Sequence, residues 1–269
     1  MNSDDLQECF AGRKLYGDDF TAEQMAEWYR DETEAYASMP YEDARTATYV
    51  YHAWNRWWGY RFLPRDRVFE SALGFGSAFG EEFLPVIGRI RSLTILEPSE
   101  SFVRSEVHGV SVRYVKPAVS GDLAFPDGAF DLVTCLGVLH HVCNVSHVLG
   151  EIARCLRPGG FVLVREPIMS MGDWTKPRRW LTKRERGIPD LLFRGMIGRA
   201  GLRVVHAGYC QFRPIPKLCD LLGVHAFNWM WITWLDAAIC RLLSFNTTYH
   251  RTTFLQKFGP QSVYYVLTK

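Results

Sequence analysis

Between Val68 and Gly80 the chain passes from an apolar run, Val68-Phe69-Glu70, into small residues at alternate positions, Ala72, Gly74 and Gly76, and then into Ser77, Ala78 and Gly80. Residues without bulk let a backbone turn sharply and come close to a ligand, because they reach φ/ψ values that larger side chains forbid. The pattern predicts a strand over 67–71, a tight turn, and a helical stretch through Ile90 broken at Pro85. That arrangement cradles a nucleotide. An ordinary strand-to-helix turn has the same composition, so the reading needs support from the rest of the chain.

Downstream, short apolar runs alternate with helical patterns, the signature of a doubly wound α/β sheet. Strands are expected at 92–96, 111–115, 132–136 and 161–165, with a helix over 146–156 stopped by Arg157-Pro158-Gly159-Gly160. Glu97 ends the second strand about 20 residues after the glycine turn, where an acidic side chain can accept both hydroxyl hydrogens of a ribose. A helix over 189–200, a sixth strand over 202–212 and a last strand over 262–268 complete the pattern. A nicotinamide dinucleotide fits poorly, because G-x-G-x-x-G counted from Gly74 and Gly76 puts Phe79 at its third glycine.

Composition sets the outer limits. The chain has 269 residues, 48% hydrophobic and 22% charged, with formal net charge +2. It suits one elaborated globular domain and gives no reason to expect a nucleic-acid partner. Seven cysteines without a C-x-x-C pair, and an N-terminus that opens Met1-Asn2-Ser3-Asp4-Asp5, point to reduced thiols in the cytoplasm and away from a secretory signal.

Ahead of the sheet, residues 1–66 read as an N-terminal helical cap. Thr21-Ala22-Glu23-Gln24 has capping-box spacing, with Met25, Trp28, Tyr29 and Tyr36 following at helical intervals up to a loop near Pro40. Tyr49, Tyr51, Trp54, Trp57, Trp58 and Tyr60 then crowd a second helical segment. Such rings contribute large buried areas and are expected to pack on the body, with a lid over the site as the rival reading.

Four blocks, Val68 to Gly76, Leu93 to Ser99, Gly121 to Val142 and Leu156 to Glu166, resemble the class I S-adenosylmethionine-dependent methyltransferases. The likeness is to the small-molecule branch that includes quinone, sterol and sugar methyltransferases. It implies a Rossmann-like, doubly wound, seven-stranded sheet with an antiparallel last strand, spanning 67–269 and carrying a helical insertion at about 213–250. It also implies S-adenosyl-L-methionine as cofactor. Glu70 and the backbone of Ala72, Gly74 and Gly76 would surround its methionine part, with Leu136 and Gly137 nearby. Glu97 would hold the ribose, Pro98 would lie against the adenine, and Asp122 with Leu123 would meet the adenine's polar edge. The chain departs from the family at Ala72, where glycine is usual, and at Phe75, where a small or polar residue is usual.

Methyl transfer from a sulfonium is an in-line displacement, so a protein chiefly positions the acceptor and, for a hydroxyl, helps remove its proton. His140 and His141, just past the fourth strand, are the candidate bases, with Glu166 in reserve. His141, Cys143 and His147 fall on no metal-ligand spacing, so no metal is expected. Lys176, Arg178, Arg179, Lys183, Arg184 and Arg186 share a loop with Trp174 and Trp180. That loop is read either as a solvated basic surface or as the contact for an anionic acceptor.

The apolar stretch from Leu218 to Phe245 is too interrupted to span a bilayer. It is expected to cover the acceptor pocket or join a second subunit in a homodimer, with peripheral membrane contact as the minor reading. The expectation is therefore O-methylation of a small molecule or glycan, a sugar or sugar-lipid first and a quinone-like or lipid ring second. A catalytically silent cofactor-binding partner subunit is the third reading.

Overall fold

The computed structural model describes residues 3–38, 49–179 and 181–269. Eight strands pair in the order β3-β4-β2-β1-β5-β6-β8-β7. They are β1 (Ala72–Phe75), β2 (Leu93–Leu96), β3 (Glu106–Val107), β4 (Val110–Val115), β5 (Phe130–Leu136), β6 (Leu156–Pro167), β7 (Arg203–Cys210) and β8 (Ser262–Thr268). β4, β2, β1, β5 and β6 run parallel, whereas β8 is antiparallel to both β6 and β7. The expected seven strands are all present, and two-residue β3 adds an antiparallel edge to β4. β1 is buried throughout and β5 over all but its last residue, as a central parallel strand with both faces covered must be.

The helices are α1 (Ser3–Phe10), α2 (Ala22–Ser38), α3 (His52–Trp58), α4 (Val145–Cys155), α5 (Asp190–Arg199), α6 (Pro214–Leu221) and α7 (Met230–Leu242). α4 buries Val145, Val148, Leu149 and Ile152, spaced i, i+3, i+4 and i+7, and packs with α5 on one sheet face. α3 and α7 cover the other face, where the rings of Trp54 and Phe227 stack with centroids 4.2 Å apart. The aromatic segment thus packs on the body. α2 opens on the capping box that its sequence announces, since the Thr21 backbone N–H donates to Gln24 Oε1 at 2.9 Å and the Gln24 N–H returns to Thr21 Oγ1 at 3.4 Å. The loop expected near Pro40, the side chain of Tyr36, and Trp180 lie outside the described residues.

Two local expectations are corrected. The first strand lies at Ala72–Phe75 instead of 67–71, with Phe69 reduced to a single bridge to Ile90. The N–H groups of Glu70 and Ser71 are taken by the Asp131 carboxylate at 2.9 and 3.2 Å, which ends their part in the ladder. The helical stretch through Ile90 is only two 3-10 turns, Glu81–Phe83 and Ile87–Arg89. Gly80 enters with φ +72° and Pro85 has no N–H to give, so a longer helix cannot propagate.

Candidate active site

The C-terminal ends of β1, β2 and β5 converge with α2 around a cavity of about 460 Å³. Open α/β sheets place their ligands at this edge. The turn after β1 makes the cavity's floor: the Gly76 N–H donates to Leu96 O at 2.8 Å, and φ there is +65°. A Cβ on Gly76 would stand 2.6 Å from Val138, so glycine is required both by conformation and by the close approach. Phe75 is buried and forms part of the cavity wall, and Ala72 lies fully buried inside β1. Neither departure from the family pattern blocks the cavity.

Glu97, also buried, holds its carboxylate at the cavity through two backbone donors, Ala78 N–H to Oε2 at 3.1 Å and Ser99 N–H to Oε1 at 3.3 Å. Burial pushes its pKa up, and the two donors oppose that shift. Pro98, Asp122 and Leu123 line the same cavity. Asp122 is exposed and held by Ser120 Oγ at 2.7 Å and His147 Nε2 at 2.8 Å, contacts that lower its pKa. The Leu123 N–H already donates to Glu151 Oε2 at 2.9 Å, so this residue offers the cavity an apolar side chain.

Other expected contacts fall elsewhere. Glu70 is exposed at the opposite end of β1, roughly 15 Å of extended chain from Phe75, and the structure removes it from the cavity. Ala72 and Gly74 are strand residues, and a Cβ on Gly74 would run into Ser77 Oγ. Leu136 and Gly137 end β5 next to Val138, which does line the cavity.

The two histidines face different partners. His141 lines the cavity, and its Nδ1 pairs with Glu32 Oε2 at 2.8 Å. His140 Nδ1 donates to Glu166 Oε2 at 2.8 Å, and burial first, then the neighbouring His141, lowers its pKa against the pull of Glu166. Glu166, the reserve base, is fully buried and accepts from the N–H groups of Val138, Leu139 and His140 at 2.8, 2.7 and 3.3 Å. These bonds assign it to holding the turn. Ligand atoms of His140, His141 and Glu185 lie within 4.8 Å of one another, the metal-like grouping found among the described residues. His140 Nε2 and Glu185 Oε1 are 3.8 Å apart there, an ion-pair spacing.

The basic loop is largely spent on the protein itself. Arg184 bonds Asp31 and Glu27, both at 2.6 Å, and fully buried Arg186 donates to carbonyls of Tyr16, Val142 and Cys143. Arg178 donates to Met171 O and Thr182 O, and Lys183 pairs with Asp31. The contacts of Arg184 and Lys183 fasten α2 over the cavity, to which it brings Trp28, Tyr29 and Glu32. Sequence reasoning missed those three. The available signal was their i, i+1, i+4 spacing, which puts an acid on the apolar face of the first helix.

Over residues 72–164 the chain matches the family model of a methyltransferase domain. It is 29% identical over 104 residues to the ubiquinone biosynthesis O-methyltransferase of Burkholderia thailandensis, a match covering 37% of this chain and 44% of that protein. The chain thus spans less than half the length of that curated relative. Among solved structures, an S-adenosylmethionine-dependent methyltransferase from Mesorhizobium loti superposes with TM-score 0.52 at 14% identity, covering 78% of this chain and 94% of that one. The [4+2]-cyclase SpnF superposes with TM-score 0.50 at 18% identity, covering 76% of each chain. Likenesses this distant speak for the fold alone, and a shared fold does not name a reaction. Residues 72–164 thus resemble a methyltransferase domain, set in a fold shared with S-adenosylmethionine-dependent methyltransferases.

Proposed function

We propose that this protein transfers a methyl group from S-adenosylmethionine to an oxygen of a small ring acceptor, quinone-like or a hydroxylated aromatic. The observation that carries the reading is Glu97, held by two backbone donors at the rim of a largely apolar cavity beside Pro98 and the Gly76 turn. Each carboxylate oxygen keeps acceptor capacity for a ribose hydroxyl, and Phe75, Leu96, Pro98 and Leu123 give a neutral adenine an apolar bed. Bound there, the cofactor supplies an electrophilic methyl group on a sulfonium. His141, oriented by Glu32 and facing the cavity, serves as the proton acceptor.

Titration calorimetry with S-adenosylmethionine and S-adenosylhomocysteine tests the class. Wild-type protein should bind both, and Glu97→Ala should weaken binding by roughly 10- to 100-fold, the effect of losing bonds to a charged acceptor. Folded wild-type protein that binds neither compound would end the proposal.

A ring is favoured over a sugar by two features. The cations that suggested an anionic glycan are mostly engaged within the protein. The exposed face of α7 carries Trp231, Trp234, Leu235 and Leu242, and Phe245, Phe254 and Leu255 follow it, also exposed. The same stretch of chain, 213–257, exposes Arg213, Lys217, Arg241 and Lys257 against one exposed acid, Asp220. Indole rings with cations suit the boundary of an anionic bilayer, where a lipid-tailed ring resides. Pelleting with vesicles containing phosphatidylglycerol, reduced by Trp231→Ala with Trp234→Ala, is the expected result. A soluble dimer with no pelleting would replace the bilayer by a second copy of the chain.

A further inference from the structure

On the sheet face away from Glu166, Arg165 presents an unusual environment for a cation. Its guanidinium lies over the rings of Tyr51 and Trp54, 4.4 and 4.7 Å from their centroids. Nη2 makes one long bond, to Leu136 O at 3.4 Å. Nη1 is buried and has no hydrogen-bond partner. Among the described residues eight further buried polar atoms lack partners, including Asn55 Oδ1, Tyr60 OH, Tyr264 OH and the indole nitrogens of Trp54 and Trp58 on this side. Tyr264 stands directly across from Arg165 in the β6–β8 ladder.

A buried donor without a partner keeps an uncompensated desolvation cost, larger for a charged group, and native proteins rarely keep one unless it serves a purpose. The position supplies that purpose. A Cβ on Gly137 would come within 3.3 Å of Arg165 Nη2, and the next residue, Val138, lines the cofactor cavity. The guanidinium therefore lies one residue from the place where a transferable methyl group is expected. Tyr51 and Trp54 touch each other, with ring centroids 5.5 Å apart, so they crowd one side of the guanidinium, and a ligand oxygen would meet it at the edge where its N–H groups point.

We propose that Arg165, walled by Tyr51 and Trp54, is the acceptor-recognition subsite and takes an oxygen of a planar aromatic acceptor, a carboxylate, a phenolate or a quinone carbonyl. This rests on the methyl-transfer reading and specifies its substrate class. α3, which carries Trp54, closes over Nη1, so admission of the acceptor displaces that helix. Arg165 does not touch the transferred methyl group and acts by fixing the ring.

The test is calorimetry on the full chain saturated with S-adenosylhomocysteine, using 4-hydroxybenzoate, 3,4-dihydroxybenzoate, catechol and 2-hydroxy-1,4-naphthoquinone as probes. At least one oxygen-bearing ring should bind, and Arg165→Met should weaken it about tenfold or more, the scale of a charge-assisted bond. Arg165→Lys should restore part of that loss, with S-adenosylhomocysteine affinity unchanged and cooperative unfolding well above the assay temperature in both variants. Equal probe binding by Arg165→Met overturns the proposal, as does loss of cofactor-analogue binding along with probe binding, which would make Arg165 a prop of the cavity. Failure of all four probes to bind cofactor-analogue-loaded protein also overturns it. A wild-type protein that does not bind S-adenosylhomocysteine breaks the methyltransferase reading instead, a result read before any probe is added.

Discussion

Arg165 and Glu166 are neighbours in β6, and because strand side chains alternate they emerge on opposite faces of the sheet with opposite fates. Glu166 gathers three backbone donors and the His140 ring, so its burial is fully compensated. Arg165 has aromatic faces and one long bond, and part of its donor capacity is unused. A buried charge whose bonds are all made within the chain is architecture, fixing the turn from Val138 to His141 from behind. One whose bonds are unmade is available to something from outside.

Removing each side chain should expose this difference. Glu166→Ala strips four donors of their acceptor and should cost about 3–5 kcal/mol in urea unfolding, as removal of one partner from a buried charged network does. Arg165→Met should cost about 1 kcal/mol or less, since it replaces an under-bonded cation by an apolar chain of similar reach. Equal losses would erase the distinction between the two residues.

The turn that Glu166 holds carries both histidines, and they divide in the same manner. His140 is bound from behind, while His141 faces the cavity with Glu32 at its Nδ1. In a methyl-transfer assay His141→Ala should lower kcat by about 10²-fold, the low end for general-base removal, with S-adenosylhomocysteine affinity changed little. A larger loss of kcat in His140→Ala at unchanged stability would exchange their roles.

Much of the sheet was legible because its signals are local. β8 occupies the residues expected of it, Ser262–Thr268, and β5 contains the whole expected run 132–136. β1 was misplaced because Ala72 and Gly74 look like turn chemistry. Their smallness serves a strand instead, since a Cβ on Gly74 would meet Ser77 and Phe83. Glu97 could be found from its spacing to the glycines alone. For Glu32 the helix spacing only hinted at an acid on the apolar face, and its burial was not legible, because it depends on Thr182 and Arg184, some 150 residues away in sequence. The basic loop misled for the same reason: composition counts charges but does not reveal that Asp31 and Glu27 will come to meet them. Arg165 carries only the weak signal of a charged residue within an apolar strand, and its meaning appears once Tyr51 and Trp54, at the start of α3 and within it, lay their rings against it.

Glu82 supplies the third way a buried charge can be managed, and the smallest expected effect. It is fully buried on the same side of the sheet as Arg165, and burial pushes its pKa up to about 7 despite bonds from Ser77 and Thr134. The folded protein therefore keeps a proton on Glu82 that the unfolded chain releases near pH 4.5. Its contribution to stability is full below that pH and declines as pH rises toward 7, because the unfolded state binds fewer protons across this window. Glu82→Gln keeps the neutral shape without the titration. It should match wild type near pH 4 and exceed it at pH 8 by about 1–2 kcal/mol, within a linkage ceiling of about 3 kcal/mol for a shift of this size. Urea midpoints measured at the two pH values decide the matter. A gain of the same size at both would mean that Gln improves packing and that the proton on Glu82 is irrelevant. A loss at pH 8 would mean that an ionised Glu82 compensates Arg165 at neutral pH, and the contrast between the two faces of β6 would then narrow to the bonds of Glu166 alone.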